Sequence, residues 1–207
     1  MNKNDFWDMS RPSDGPILDA ELIAYAEKVL NVRLPILLID LLKIKNGGST
    51  RDFALPTTIK TCLGDSYLRI DELYGIGDDH LSSKANLLHS AYLIKEWGLP
   101  DKQVLLLGDG HWWITLDYRN GAEPTVNWID VENEQDFLIA PTFNAFVNSL
   151  ESLDKYEPTE KNDRVTHQTI MWENFLDEEK LAELGERFLT DVNERRRKNG
   201  LPDIQKK

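Results

Sequence analysis

Apolar residues recur with a helical period near the start of the chain. Asp19 can cap a helix that runs to about residue 30, and its apolar stripe consists of Leu22, Ala26, Val29 and Leu30. A second helix is predicted from Pro35, because the fixed φ of proline suits the first helical position. We expect Gly47 and Gly48 to end this helix, since glycine readily adopts the left-handed conformation that closes a helix.

The centre of the chain is patterned as β-strands separated by turns. The predicted strands cover residues 67–70, 103–107, 111–118, 125–131 and 137–139. Gly108-Asp109-Gly110 and Asn120-Gly121 are turn sequences, and strands joined by such short turns run antiparallel. Helices are predicted before and after these strands, over residues 87–97 and about 142–150. This order of elements predicts an α+β fold.

The last quarter of the chain differs in composition from the rest. Residues 154–176 begin as a polar, charged stretch that we interpret as a linker. Beyond it, Asp177 can cap a long helix, so residues 177–207 are predicted to form a C-terminal helical extension. We therefore expect one α+β domain over residues 1–153, followed by the linker and the extension.

Alternation along residues 111–118 separates two sets of side chains. One set, which we expect to face the core, consists of Trp112, Ile114, Leu116 and Tyr118, and the other consists of His111, Trp113, Thr115 and Asp117. In the next strand, Val126, Trp128 and Asp130 share one side. If Trp113 and Trp128 lie on the same face of the sheet, they form an aromatic and acidic patch of the kind that anchors protein interfaces. The alternative is that the C-terminal helix covers Trp113.

The charge balance is strongly acidic, with a formal net charge of −12 at pH 7. A field of this sign repels nucleic acids and acidic membrane surfaces, and it attracts basic partners. No Lys or Arg lies between Arg119 and Lys155. The basic run 195–198 is interpreted as a helix end, where cations are favoured. The acidic stretch is either a solvated face or a docking surface for a basic protein. The candidate partner-binding residues are Trp113, Asp117, Glu123, Trp128, Asp130, Glu132, Glu134 and Asp136.

Residues with the spacing of known catalytic or metal sites are scarce. Cys62 is the single cysteine, and the four histidines lack any zinc-ligand spacing, so we expect neither a metal nor another cofactor. The strongest catalytic candidate is a trio of Asp109, His111 and Asp117, in which the histidine acts as a general base. The competing interpretation, which we favour, is that Asp109 caps a turn and that the other two lie on a solvated face. No catalytic residue is therefore predicted.

Neither a signal sequence nor a membrane helix is evident. The N-terminal residues lack a basic segment followed by an apolar run, and the longest apolar runs are far shorter than the ~20 residues that cross a bilayer. A soluble, cytoplasmic protein is the expectation.

Several short motifs occur in an order that resembles the SUKH superfamily, which includes yeast cell-wall-synthesis regulators and many bacterial proteins. The motifs are Phe6-Trp7-Asp8, the helix 18–30, Leu34-Pro35, Asn46-Gly47-Gly48, Tyr74-Gly75-Ile76-Gly77, Trp97-Gly98-Leu99-Pro100, Leu116-Asp117-Tyr118-Arg119 and residues 140–146. The resemblance covers about residues 5–152 and is greatest to the bacterial branch. Many relatives have a longer insertion where this chain has the short turn at Asp109.

The resemblance implies a single α+β domain in which a bent, mostly antiparallel sheet packs against helices, without catalytic residues. Its bacterial members are widely taken as immunity proteins that neutralise toxins, often nucleases, whereas its fungal members regulate cell-wall synthesis and signalling. A non-enzymatic immunity protein that binds a basic toxin domain is therefore expected. The alternatives are a regulatory scaffold for cell-wall synthesis or signalling, and a hydrolase.

Overall fold

Four α-helices and two antiparallel sheets make up the part of the chain that the structure, a computed structural model, describes, which is residues 5–64, 66–77 and 86–156. The helices are α1 (Ala20–Leu30), α2 (Ile36–Ile44), α3 (Ser90–Trp97) and α4 (Phe143–Asn148). The strands are β1 (Gly48–Pro56), β2 (Tyr67–Leu73), β3 (Gln103–Gly108), β4 (Trp112–Asp117), β5 (Thr125–Asp130), β6 (Gln135–Ala140) and β7 (Glu151–Ser152). The predicted α+β fold with antiparallel strands is confirmed.

The strands divide into a three-stranded sheet of order β2-β1-β7 and a four-stranded sheet of order β3-β4-β5-β6. The second sheet follows chain order because each of its strands is joined to the next by a short turn. The backbone N–H of Tyr74, just after β2, donates to the carbonyl of Leu106 in β3 at 2.7 Å. The end of β2 therefore lies against the β3 edge of the four-stranded sheet.

The sequence pattern missed β1, the longest strand in the described residues. Its segment alternates poorly: Arg51 is exposed, while three consecutive apolar residues near its end are buried. Asp52 has a φ of 57°, and the pairing with β2 shifts register between Ser49 and Phe53. This irregularity removes the period of two that predicts a strand.

The predicted buried stripe of α1 was only partly correct, since Val29 is 43% exposed.

The N-terminal segment packs into the core beside α2 and β1. Phe6 and Trp7 are fully buried, and the Trp7 indole N–H donates to the Leu41 carbonyl at 2.8 Å. The Phe6 ring stacks on Phe53 with 5.6 Å between centroids. Burial of these large rings contributes on the order of 2 kcal/mol for each side chain.

The turn after α2 and the loop after β2 interlock through one buried amide. Asn46 accepts from the Ile76 backbone N–H at 2.8 Å, and its amide donates to the carbonyls of Pro16 and Ile76. A Cβ built on Gly75 would lie 2.5 Å from the Asn46 carbonyl, so a side chain there would collide with backbone. The motifs Asn46-Gly47-Gly48 and Tyr74-Gly75-Ile76-Gly77, distant in the sequence, thus pack directly against each other.

Most of the predicted linker and the whole predicted helical extension lie outside the described residues. Residues 154–156 are described, and they belong to a short 3-10 turn after β7. The basic run 195–198 is likewise not described. Within the described residues, no helix is long and apolar enough to span a membrane.

Candidate partner-binding surface

The two candidate anchor tryptophans lie on opposite faces of the four-stranded sheet. Trp113 pairs with Ile129 across β4 and β5, whereas Trp128 pairs with Ile114, and paired residues share a face. The predicted parity within each strand is correct, but the condition that Trp113 and Trp128 share a face is wrong. Both side chains are fully buried. They therefore do not form an exposed aromatic patch.

Each tryptophan ring has a distinct packing partner. Trp128 stacks on Trp112 with 5.0 Å between centroids, and its indole N–H donates to Gln135 Oε1 at 3.1 Å. Trp113 lies over Gly108, where an added Cβ would come within 2.3 Å of the ring. The strands carrying them are buried on both faces, which explains why neither ring reaches solvent.

Asp117 and Asp136 share a single arginine counterion. Arg119 donates through Nε to Asp117 at 2.8 Å and through both terminal nitrogens to Asp136 at 2.6 and 2.9 Å. Burial alone would raise the pKa of Asp117, but the hydrogen bonds from Arg119 outweigh it and lower the pKa overall. The hydrogen bonds that Arg119 donates to the carboxylates of Asp117 and Asp136 raise the pKa of Arg119. Arg119, the cation immediately before the acidic stretch, thus neutralises part of it. The lack of Lys and Arg between residues 119 and 155 did not indicate this contact.

Asp130 organises the turn between β5 and β6 rather than facing a partner. Its carboxylate is 1% exposed and accepts from the backbone N–H groups of Glu132 and Asn133 and from the Asn133 side chain, all within 3.1 Å. Burial would raise its pKa, but the hydrogen bonds from Asn133 and its other donors lower it. Partial desolvation, together with a hydrogen bond to Asp130, raises the pKa of the Cys62 thiol to about 12, although the residue is exposed to solvent. Cys62 is therefore a thiol at neutral pH and a poor nucleophile.

The remaining candidate carboxylates are exposed, and they occupy two separate places. Glu132 and Glu134 lie in the turn between β5 and β6, and Glu132 contacts His111 Nδ1 at 2.8 Å. Glu123 lies before β5, at the opposite end of that strand. We call residues 125–140, which comprise β5, the turn and β6, the acidic hairpin. The structure brings Asp130, Glu132, Glu134 and Asp136 together on this hairpin and leaves Glu123 apart.

The hydrolase trio is not assembled. Asp109 accepts from the backbone N–H groups of His111 and Trp112 at 3.0 and 3.3 Å, so its carboxylate is used in the turn. Asp117 lies at the far end of β4 from His111, roughly 20 Å away at about 3.3 Å for each strand residue. Asp117 is also 2% exposed and bound to Arg119, which contradicts the solvated face expected for it. No group of His, Cys, Asp and Glu side chains that could hold a metal occurs among the described residues.

Tyr118 and Arg119 belong to the motif Leu116-Asp117-Tyr118-Arg119, for which the sequence pattern indicated no role. The Tyr118 hydroxyl donates to the Arg33 carbonyl at 2.7 Å, which ties the end of β4 to the joint between α1 and α2. Arg119 ties the same end of β4 to β6. The motif was the only sequence signal for these contacts, because the partners Arg33 and Asp136 lie far from it along the chain.

Comparison with known proteins identifies the family of the chain. The sequence model of the SMI1 / KNR4 family (SUKH-1) matches residues 17–149. None of the curated proteins matches the chain. The matched region contains every element from α1 to α4, including the whole four-stranded sheet and the acidic hairpin. Since this region is more than half of the chain's 207 residues, the protein belongs to the SMI1 / KNR4 family (SUKH-1).

Proposed function

We propose that the protein acts by binding a basic protein partner without catalysis, and that this partner is a toxin domain that it neutralises. Membership of the SUKH-1 family supports an immunity-type or regulatory binding role. A basic partner is proposed because Glu132 and Glu134 are exposed on the turn between β5 and β6. The buried carboxylate of Asp130 holds the backbone of this turn through hydrogen bonds.

The fixed turn matters because it holds two carboxylates in place before the partner arrives. A preformed surface avoids the entropic cost of ordering a loop upon binding. Exposed charges at the rim of an interface mainly raise the association rate, and salt screens this effect over roughly 8 Å at physiological ionic strength. The acidic hairpin should therefore determine how fast a basic partner binds.

The first test is whether the chain protects a host cell against any toxin domain that a neighbouring gene encodes. Co-expression should restore growth, and the two purified proteins should form a stable complex. Growth that stays inhibited, with no complex formed, would contradict the immunity role. A regulatory scaffold for cell-wall synthesis or signalling would then be the better explanation.

The second test is charge reversal at the turn, read as association kinetics. The double variant Glu132→Lys and Glu134→Lys should slow association with the basic toxin domain about tenfold at low salt and flatten its salt dependence. Asp136 is left unchanged because its reversal would break the contact with Arg119. The matched control is Glu21→Lys with Glu96→Lys, since both residues are exposed, lie on α1 and α3, and give the same change in net charge.

The control separates a local effect from a general one. If both double variants slow association equally, only the net charge of the molecule matters. If neither changes the rate or the salt dependence, the acidic hairpin is a solvated face and the proposed surface is wrong.

A further inference from the structure

The β6 edge of the four-stranded sheet has no strand beside it among the described residues. The order β3-β4-β5-β6 places β6 at the end, with β5 as its single neighbour. The opposite edge differs, because Tyr74 contacts β3 there through its backbone N–H and through its hydroxyl, which donates to the Gly108 carbonyl at 2.7 Å. An edge strand without a neighbour presents backbone N–H and C=O groups that can pair with another chain.

A groove runs along this edge. It has a volume of about 330 Å³ and lies between residues 55–59, at the end of β1, and residues 137–139 of β6. Leu138 is 55% exposed on one side of it and Ile59 is 42% exposed on the other. The groove therefore offers apolar surface directly beside the unpaired backbone.

The charge around the edge is acidic. Asp136 lies within β6, and Glu132 and Glu134 lie in the turn that leads into it. Two cations lie close to these carboxylates. Arg119 is shared between Asp117 and Asp136, and Lys60 lies beside Gln135, from which its backbone carbonyl accepts a hydrogen bond at 3.0 Å. Carboxylates thus outnumber cations beside the open backbone, so a positively charged strand is the complementary occupant.

The regular part of the edge is short and well defined. Residues 135–138 pair one to one with β5, and the register then shifts, because Asn127 pairs with Leu138 but Val126 pairs with Ala140. A bulge of this kind bends an edge strand and ends regular pairing. An added strand can therefore follow β6 only from Gln135 to Leu138.

We infer that an extended, basic segment of the protein partner adds to the four-stranded sheet as a fifth strand along Gln135–Leu138. Backbone hydrogen bonds supply the pairing, and alternate side chains of the segment lie over Leu138 and Asp136 on one face and over Phe137 on the other. This inference rests on the proposed function for the nature of the partner. The edge itself can be tested without the partner.

The probe is a seven-residue peptide of alternating lysine and valine, acetylated and amidated, at millimolar concentration. Nuclear magnetic resonance should show slower amide exchange for backbone groups of residues 135–138 that point away from β5. Two further peptides carry N-methyl groups on the lysine amides or on the valine amides. One of them should bind at least tenfold more weakly than the parent and the other about equally well, because only one set of amides faces β6 in an added strand.

A variant of the protein tests the groove independently. Leu138→Lys places a like charge beside the lysines and should weaken binding about tenfold, whereas the control Ile17→Lys, at a 94% exposed residue, should not. No binding of the parent peptide, equal binding of both methylated peptides, or equal effects of the two variants would overturn strand addition.

The same exchange measurement on the toxin complex separates this inference from the proposed function. A toxin domain that binds tightly without protecting residues 135–138 refutes strand addition and leaves the immunity role intact. A peptide that adds to β6 in a protein that no toxin binds refutes the immunity role and leaves the edge site intact.

Discussion

The indole nitrogens of Trp113 and Trp128 have different surroundings although both rings are fully buried. The Trp128 N–H donates to Gln135, whereas the Trp113 N–H is buried without an acceptor among the described residues. A buried donor without a partner loses its hydration and gains little in return. The ring of Trp113 therefore stabilises the fold through its volume over Gly108 and not through its polar group.

This difference predicts unequal costs for the same substitution. Trp113→Phe and Trp128→Phe remove the same volume, but only the second breaks a hydrogen bond. Trp128→Phe should lower the free energy of unfolding by about 1 kcal/mol more than Trp113→Phe. Urea denaturation of the two variants measures the difference, and equal losses would mean that the indole of Trp113 is bonded after all.

Among the elements, the contact of Arg119 with Asp117 and Asp136 holds β4 and β6 together across β5. Removing one member of a buried ion pair costs more than the pair contributes, because the remaining charge is left without a counterion. Without Arg119, Asp117 would be the charge left buried without a counterion, since its side chain is 1% exposed.

Arg119→Leu should therefore destabilise the protein by about 2–3 kcal/mol at pH 7. Adding Asp117→Asn should recover at least about 1 kcal/mol of this loss, which a double-mutant cycle in urea would reveal. Arg51→Leu is the control, because the side chains of Arg51 and its partner Asp5 are 54% and 55% exposed, so this substitution leaves no buried charge and should cost less than about 1 kcal/mol. Additive effects at Asp117 and Arg119 would contradict a coupled pair.

The elements also show what the sequence could and could not predict. Regular alternation and turn glycines were enough for β3 to β6, because adjacent strands joined by short turns leave little choice of pairing. The irregular strand β1 was missed, since its Asp52 and its register shift erase the pattern. The acidic stretch was found, but its partial neutralisation by Arg119 depends on proximity across strands, which spacing along the chain does not contain. Which face each tryptophan occupies was likewise fixed by register between strands.

For the whole molecule, His89 links stability to pH. Burial lowers its pKa to about 4, from 6.5. Its Nδ1 accepts from the Asn86 backbone N–H at 3.3 Å, which requires the neutral ring. The unfolded chain binds this proton more readily, so folding becomes less favourable as pH falls from about 6.5 towards 4.

The expected loss from this histidine between pH 7 and pH 4.5 is roughly 2–3 kcal/mol. Carboxylates with lowered pKa, such as Asp8, Asp117 and Asp130, contribute their loss mainly below this range. A His89→Gln variant cannot be protonated and should show a correspondingly smaller difference between the unfolding free energies at the two pH values. An unchanged pH dependence in this variant would assign the loss to other groups.

The three-stranded sheet has a consequence for how the chain is made. Phe53 in β1 pairs with Ser152 in β7. One edge of β1 can therefore pair only after residues almost a hundred positions later have been synthesised. At translation rates of about 5–20 residues per second, this wait lasts roughly 5–20 s. During that time this edge of β1 lacks its partner strand, and an unpaired strand edge is prone to pair with other chains. Among the strands of the described residues, β7 is both the last and the shortest, and it completes the pairing of β1, the first.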